Sequence, residues 1–253
     1  MTVRIMLKEA ALYHRHFDGT LYPLTHKESN LPILSRVILN GESCYIAQGI
    51  QSNKQNPLRS VSNILKLTQE ESSKEALREW MLRVGQQEAN RIRNEAVKAG
   101  NAIHAYLHSH LMGKKAKPVD KLYQNYLQSL NTLLPNFGET ILSEQFVVSF
   151  KYRYFGKIDH LGFYRKTLTL SDFKTSIKPK VSINWIQDKI IQLAAYYIPI
   201  ETLYPVEQAA LIYLINDGSY NEFIITPQEM NLYKEIWLER VSQASAIKTL
   251  KAS

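Results

Sequence analysis

The sequence predicts a mixed α/β fold of the α+β kind, and three observations support that prediction. Apolar residues recur at helical spacing over residues 73–112. Two β-rich runs, residues 157–164 and 168–173, flank a short basic segment in the manner of an antiparallel hairpin. The chain has 253 residues and is 45% hydrophobic, so it can bury one substantial core.

The overall charge favours an anionic partner. The chain carries 31 Lys and Arg residues against 23 Asp and Glu residues, an excess that suits nucleic acid or an anionic membrane surface. Its single cysteine, Cys44, excludes a disulfide framework and a four-cysteine zinc or iron–sulfur site within the chain. The apolar runs are too short to span a bilayer, and residues 1–17 lack the apolar core of a signal peptide. We therefore expect a cytoplasmic protein without a membrane partner.

The N-terminal residues 1–55 are predicted to form a β-rich extension. Apolar and polar patches alternate around Asp18, which predicts a β-hairpin over residues 11–24, whereas residues 30–52 show no clear pattern. Just after the extension, Ser60 or Ser62 is placed to cap a helix and to turn backbone N–H groups toward a phosphate. An ordinary helix start would have the same sequence.

The helical segment 73–112 carries two apolar stripes, with breaks expected at Gly85 and Gly100. Beside the stripes lie cations that are suited to tracking a phosphate backbone, although a solvated helix face has the same composition. These cations are Arg78, Arg83, Arg91, Arg93 and Lys98.

Two histidines, His104 and His108, lie one turn apart in the later part of this helical segment and could bind one metal ion together. Residue 105 is alanine, so the His-Glu-x-x-His pattern of zinc peptidases is not met. A further helix is predicted over residues 121–134 and a strand over residues 141–150. Glu144 lies within that apolar strand, where a carboxylate is costly unless it is paired or bound to a cation, so it is a candidate site residue. An exposed strand end would also accommodate it.

The central hairpin carries the strongest chemical signal. Asp172 and Lys174 are two residues apart on one strand and project together, while Phe173 turns toward the core. Asp159 lies on the partner strand. Two carboxylates and a lysine are the minimal set for metal-assisted phosphodiester hydrolysis. The carboxylates hold Mg²⁺ or Mn²⁺, the metal lowers the pKa of a bound water, and the lysine either orients that water or stabilises charge on the phosphate. Alone, the triplet would also fit a solvated strand edge.

The remaining elements complete the expected domain. A helix over residues 184–203 places Gln192 and Tyr196 one turn apart on one face. Strands are predicted at residues 211–215 and 222–225, and a final helix begins at Thr226, where a capping box satisfies its free N–H groups.

An ordered set of residues runs through these elements. It consists of Gly100-x-x-x-His104, Glu144, Gly156-x-x-Asp159, Asp172-x-Lys174 and Gln192-x-x-x-Tyr196. The set resembles the RecB-like branch of the PD-(D/E)XK nuclease superfamily, and within it the mitochondrial genome maintenance exonucleases and their phage relatives. The phrases LREWMLRVGQQEANRIRNEAVKAGNAIHAYL and GKIDHLGFY carry the resemblance, which covers roughly residues 60–241.

The resemblance implies a PD-(D/E)XK core, in which a central mixed sheet is flanked by helices and an N-terminal helical region. It implies a nuclease domain over residues 56–253, with a helical arch at about residues 73–134. In that family the positions of His104, Asp159 and Asp172 bind Mg²⁺ or Mn²⁺. Lys174 would be the catalytic lysine, and the other catalytic positions would be Glu144, Gln192 and Tyr196.

The resemblance also implies a substrate. Members of the family cut single-stranded DNA, often from free ends, in replication, repair or recombination, and in some of them the strand is threaded under a helical arch. A eukaryotic source would place the protein in the mitochondrial matrix. Two alternatives stay open: a structure-specific endonuclease with the same site, and a non-catalytic nucleic-acid-binding module. Intact Asp159, Asp172 and Lys174 argue against the second, because a pure binder gains little from carboxylates that face a polyanion.

Overall fold

The computed structural model describes residues 10–24, 31–39, 41–47 and 57–252, with side chains to residue 247. Within them, six α-helices flank a ten-stranded mixed sheet, which confirms the predicted mixed α/β class. The strands are β1 (Ala10–Arg15), β2 (Leu21–Pro23), β3 (Leu34–Leu39), β4 (Glu42–Ala47), β5 (Leu58–Ser60), β6 (Phe137–Ser149), β7 (Tyr154–Tyr164), β8 (Thr167–Ser176), β9 (Gln208–Ile215) and β10 (Tyr220–Ile225). The helices are α1 (Val61–Leu67), α2 (Glu71–Val84), α3 (Gln86–Leu111), α4 (Gln124–Leu133), α5 (Gln187–Glu201) and α6 (Pro227–Ala252).

The predicted central hairpin is confirmed as β7 and β8. Its two-residue turn consists of Arg165 and Lys166, whose φ angles of 49° and 69° are the positive values that a type I′ turn needs. Strand β8 then pairs in parallel with β9, and β9 pairs antiparallel with β10. The sheet is therefore mixed, and the hairpin lies near its middle.

Two packed layers cover the faces of this sheet. Helices α1, α5 and α6 bury one core, which includes Ile158, Ile191 and Trp237. Helices α3 and α4 bury another, which includes Ile103 and Phe173. None of the described helices combines the length and the apolarity that crossing a membrane requires.

The helix boundaries agree with the sequence in most places. Gly85 separates α2 from α3 at a φ of +83°, as predicted. The break predicted at Gly100 is wrong, because α3 runs unbroken through it. A glycine inside a helix costs only about 1 kcal/mol relative to alanine, which the packing of α3 on the sheet can offset. At the start of α6, the Thr226 N–H donates to Glu229 Oε2 at 2.8 Å and the Glu229 N–H donates to Thr226 Oγ1 at 3.3 Å, so the predicted capping box forms.

The N-terminal strands join the same sheet. The predicted hairpin forms from β1 and β2, and β1 also pairs with β6. The pairings β7–β5–β4–β3–β2–β1–β6–β7 close a ring of seven strands around a core that contains Tyr13, Leu34 and Phe155. Closure leaves these strands without a free edge. The expected domain boundary at residues 55 and 56 lies outside the described residues.

Candidate active site

The site forms where β7 and β8 separate. Their ladder runs from Tyr164–Thr167 to His160–Ser171; beyond it the start of β7 pairs with β5 and β6, while β8 continues along β9. At the fork, the Phe173 N–H donates to Asp159 Oδ2 at 2.8 Å. A carboxylate thus satisfies a backbone donor that has lost its strand partner, and the fork leaves room for a cleft.

A cleft of about 790 Å³ opens at this fork. Strands β6 to β8, helices α3 and α5 and the start of α1 all contribute to it. Every predicted catalytic and metal-binding residue lines this cleft, together with both predicted capping serines: Ser60, Ser62, His104, Glu144, Asp159, Asp172, Lys174, Gln192 and Tyr196. Residues that are up to 136 positions apart in sequence, from Ser60 to Tyr196, therefore meet in one place.

His104, Glu144 and Asp159 form what we call the His–Glu–Asp cluster, with one potential ligand atom of each within 4.8 Å of the others. His104 Nδ1 lies 3.3 Å from Glu144 Oε1 and 3.4 Å from Asp159 Oδ1. Its Nε2 lies 3.0 Å from the carbonyl oxygen of Phe173, to which it can donate. That hydrogen bond leaves Nδ1 as the nitrogen that faces the carboxylates, an arrangement typical of metal-binding histidines.

The charges of the cluster are tightly balanced. Burial lowers the pKa of His104, but hydrogen bonds and charge from Asp159 and Glu144 outweigh it and raise the pKa to about 10. Burial raises the pKa of Asp159, but His104 and Lys174 together lower it below its ordinary value. Without a metal, a protonated His104 therefore provides the positive charge that these buried carboxylates need.

Glu144 reaches the cluster through an unusual backbone conformation. Its φ is 56°, in the left-handed region that non-glycine residues rarely occupy, and the β6–β7 ladder is irregular just before it. Such a conformation costs roughly 1–3 kcal/mol and is frequent at functional sites. The carboxylate also forms an ion pair with Lys157. Burial raises the pKa of Glu144, but His104 and Lys157 bring it below its ordinary value.

Asp172 and Lys174 project together and form an ion pair, while Phe173 packs in the opposite core, as predicted. Asp172 is 2% exposed, and burial raises the pKa of its carboxyl group despite the neighbouring lysine. For Lys174, burial lowers the pKa, but Asp172 and Asp159 outweigh it and leave the pKa above its ordinary value. Lys174 is therefore an ammonium group.

The donor set fits a divalent cation. Two carboxylates and an imidazole nitrogen converge in the His–Glu–Asp cluster, so these three residues could hold a metal ion. Asp172, which the resemblance implies as a ligand, lies outside this cluster and is paired with Lys174. Its role as a ligand stays a prediction.

Gln192 and Tyr196 stand at the edge of the cleft, and Gln192 Nε2 donates to the Tyr196 hydroxyl at 2.8 Å. Burial raises the pKa of the Tyr196 phenol, so the hydroxyl keeps its own proton. The Tyr196 ring packs against Gly156 of β7. A Cβ atom at Gly156 would overlap Tyr196 Cε1 and lie 2.9 Å from Cδ1, which explains the glycine three residues before Asp159.

The start of α1 closes another side of the cleft. Ser60 caps the helix, since its Oγ accepts from the Asn63 N–H at 3.1 Å, and Ser62 Oγ lies 3.2 Å from Ser60 Oγ. Two hydroxyl groups therefore face the cleft from α1.

The five predicted phosphate-binding cations lie outside the lining of this cleft. Three form ion pairs on their own helix: Arg78 with Glu75 at 2.9 Å, Arg91 with Glu88 at 2.7 Å, and Lys98 with Glu95 at 2.8 Å. Arg93 donates to the Asn90 side chain, and Arg83 is exposed. Their contact with phosphates stays a prediction.

One charged residue of the cleft was missed from sequence. Lys157 lines the cleft and pairs with Glu144. The sequence does indicate this position, because Lys157 is two residues before Asp159 on β7 and so projects to the same face.

The sequence was also compared with known proteins. No family model and no curated protein matches it. Function is therefore inferred from the chemistry of the cleft and from the order of its residues along the chain.

Proposed function

We propose that the protein is a metal-dependent nuclease that hydrolyses DNA, with single-stranded ends as its preferred substrate. The observation that supports this most directly is the sheet fork, which brings Asp159, Asp172 and Lys174 into one cleft beside His104 and Glu144. The order of these residues along the chain is the one that resembles the RecB-like PD-(D/E)XK nucleases. A net charge of +8 suits a polyanionic substrate.

His104, Glu144 and Asp159 are the residues that would hold Mg²⁺ or Mn²⁺. A bound cation of this kind neutralises charge on the scissile phosphate and lowers the pKa of a water. Ligation needs an unprotonated Nδ1 on His104, so the proton that the metal-free cluster holds must leave. The hydrogen bond from Nε2 to the Phe173 carbonyl keeps the ring oriented during that exchange.

Lys174 would act on the phosphate. Its ammonium group is fixed by Asp172 within the cleft, so it can donate to a non-bridging phosphate oxygen at little reorganisation cost. Asp172 both positions the lysine and balances its charge. Because the amine stays protonated, its role is to stabilise developing negative charge rather than to accept a proton.

The rim of the cleft would position the strand. The Tyr196 hydroxyl accepts from Gln192 and can donate its own proton to a phosphate or sugar oxygen. The hydroxyl groups of Ser60 and Ser62 offer further donors from the start of α1. Contacts of this kind bind the backbone without reading bases, so cleavage should show little sequence preference.

The proposal is tested with end-labelled linear single-stranded DNA and with covalently closed circular single strands. Each is incubated with Mg²⁺, Mn²⁺ or EDTA, with linear RNA of the same sequence in parallel. We expect linear DNA to be degraded to short oligonucleotides with either metal, EDTA to abolish the reaction, and circles to resist. Rapid nicking of circles would indicate the endonuclease instead. Binding without cleavage under every metal condition would overturn the enzyme proposal.

A further inference from the structure

The turn of the β1–β2 hairpin stands beside the cleft. Strand β1 pairs with β6 up to Tyr13, which is opposite Phe146, and Phe146 lines the cleft. Glu144 follows two residues further along that direction of β6, and β1 continues the same way into its turn at residues 16–20. Continued in the same register, β1 would bring Arg15 level with Glu144, and the turn begins one residue later. The turn therefore lies toward the part of β6 that contributes Glu144 and Phe146 to the cleft.

The turn has a fixed conformation. The His16 N–H donates to the Thr20 carbonyl at 2.8 Å, and Asp18 Oδ1 accepts from the Thr20 N–H at 2.8 Å. Gly19 takes a φ of +87°, and the Tyr45 hydroxyl on β4 donates to its carbonyl at 2.9 Å. Hydrogen bonds within the turn and from the adjacent part of the strand ring thus hold it in place.

This rigid turn presents an aromatic side chain to solvent. Phe17 is 94% exposed. Its ring lies 4.2 Å from the ring of His16, which in turn lies 5.7 Å from Tyr22, and Tyr22 stacks on His14 at 5.8 Å. A row of rings therefore runs along the hairpin and ends in the exposed one.

Two exposed guanidinium groups flank the same turn. A Cβ atom placed on Gly19 would lie 3.7 Å from Arg15 Nη2 and 3.4 Å from Arg36 Cδ, so both side chains lie against the turn. Arg36 is oriented by a 2.8 Å hydrogen bond from its Nε to Ser43 Oγ. The carboxylate of the turn, Asp18, is engaged by Thr20 and lies 3.7 Å from His16. Two guanidinium groups therefore lie against the turn that presents the exposed ring.

We infer that this hairpin tip is a second binding site for single-stranded nucleic acid, in which Phe17 stacks on an unpaired base and Arg15 and Arg36 bind the adjacent phosphates. A flat exposed ring beside two cations is the arrangement that single-strand-binding proteins use, because every base offers a stacking face. The site extends the proposed function: it holds the part of a strand that lies outside the cleft, so it favours long substrates over short ones.

The test compares two fluorescein-labelled oligothymidylates in EDTA, so that binding is measured without hydrolysis. One is about 20 nucleotides long, and the other, at about 4 nucleotides, is too short to fill the cleft and reach Phe17 together. The variants are Phe17→Ala, Phe17→Trp, Arg15→Ala and Arg36→Ala. The matched control is Ile38→Ala, which removes an apolar side chain that is 59% exposed on β3 of the same strand ring.

We expect Phe17→Ala to weaken binding of the long strand roughly tenfold and to leave the short strand unchanged, while Phe17→Trp and Ile38→Ala bind both like the wild type. Arg15→Ala and Arg36→Ala should each flatten the salt dependence of long-strand binding by about 0.7 in log–log slope. Equal affinity of Phe17→Ala and wild type for the long strand would overturn the inference. An equal loss of affinity for both oligonucleotides would also overturn it, because Phe17 would then act by maintaining the shape of the cleft.

This experiment is separable from the nuclease proposal. Hydrolysis of the short oligonucleotide by the wild-type protein with Mn²⁺ tests the cleft alone. An inactive protein that still shows the length-dependent effect of Phe17→Ala would refute the enzyme and leave the hairpin site standing. An active protein without that effect would support the enzyme and refute the hairpin site.

Discussion

Helix α3 has an exposed region and a buried region, and their charged residues differ in the partners they contact. From residue 99 onward it packs on the sheet through Ala99, Ile103 and Leu107, and this buried part delivers His104 to the cleft. Its first half and all of α2 are largely exposed, and we refer to α2 and residues 86–98 of α3 as the cationic helices. The charged groups that meet at His104 come from separate elements, whereas Arg78, Arg91 and Lys98 on the cationic helices pair with glutamates one turn away.

The difference shows what burial does to a charge. Exposed ion pairs three residues apart contribute little to stability, since water screens them and side-chain entropy opposes them. In the cleft, three carboxylates need compensating charge, and His104, Lys157 and Lys174 supply it. Each residue there is therefore coupled to several others, while a cation on the exposed helices can change with little effect.

The largest effect is expected from removing a carboxylate charge in the cleft. Asp159→Asn and Asp172→Asn should each lower the rate of hydrolysis by roughly 10³-fold or more, because in the proposed mechanism Asp159 holds the metal and Asp172 positions Lys174. Calorimetry should separate them: Asp159→Asn loses most of the Mn²⁺ affinity, whereas Asp172→Asn retains more, since Asp172 lies outside the His–Glu–Asp cluster.

The matched control for these variants is Glu235→Gln, which neutralises an exposed carboxylate on α6. It should keep wild-type activity and metal binding. If Asp172→Asn lost Mn²⁺ affinity as completely as Asp159→Asn, Asp172 would be a ligand in its own right.

Lys174→Ala should separate catalysis from binding. We expect hydrolysis to fall roughly 10²–10³-fold while affinity for single-stranded DNA stays within about twofold, because the ammonium group acts mainly in the transition state. Single-turnover kinetics and anisotropy titration measure the two quantities. The exposed Lys121→Ala serves as the control of equal charge change, and a parallel loss of binding and cleavage in Lys174→Ala would contradict this role.

Gly156→Ala should destabilise the protein by roughly 1–3 kcal/mol, because the new methyl group overlaps the Tyr196 ring and approaches Val61 Cγ2 at 3.2 Å. Urea unfolding measures the change in the free energy of unfolding. In the double variant with Tyr196→Ala the two effects should be less than additive, since removal of the ring makes room for the methyl group. Strict additivity would mean that the strain lies elsewhere.

These results also show what the sequence could and could not predict. The shared face of Asp172 and Lys174 is predictable because alternation along a strand is a local rule. Asp159 is predictable because it lies on the partner strand of the same hairpin. The left-handed backbone of Glu144, which lies beside His104, has no local sequence signal such as a glycine. The ring that β1 closes on β6 joins residues more than 130 positions apart, and no local pattern encodes such a pairing.

A buried histidine should make stability depend on pH more than an exposed one does. Burial lowers the pKa of His160 from 6.5 to about 4. The unfolded chain therefore binds a proton before the folded protein does, and stability falls as the pH drops from about 6.5 toward 4. Between about pH 7.5 and 5 we expect this residue to account for a loss of about 2 kcal/mol.

The measurement is urea unfolding in EDTA at both pH values for the wild type, His160→Gln and the exposed His110→Gln. The wild type and His110→Gln should lose stability on acidification by similar amounts. His160→Gln should lose about 2 kcal/mol less, since its side chain does not titrate. Identical pH dependence in all three proteins would show that His160 is not the group that responds.

The smallest effect is expected on the cationic helices, where the contact of each cation with phosphates can be counted separately. A cation that neutralises a phosphate releases condensed counterions, so removing it flattens the slope of log affinity against log salt by about 0.7 on a single strand. Arg83 has no ion-pair partner among the described residues, whereas Arg91 is held by Glu88 through both Nε and Nη2, at 2.8 and 2.7 Å. We therefore expect Arg83→Ala to flatten the slope by about 0.7 and Arg91→Ala to leave it nearly unchanged.

Glu88→Gln provides the decisive comparison. It frees the Arg91 guanidinium, so if α3 faces the strand, the slope should become steeper in that variant and return to the wild-type value when Arg91→Ala is added. Unchanged slopes in all four variants would mean that DNA does not pass along these helices, and that the cleft and the hairpin turn carry the binding.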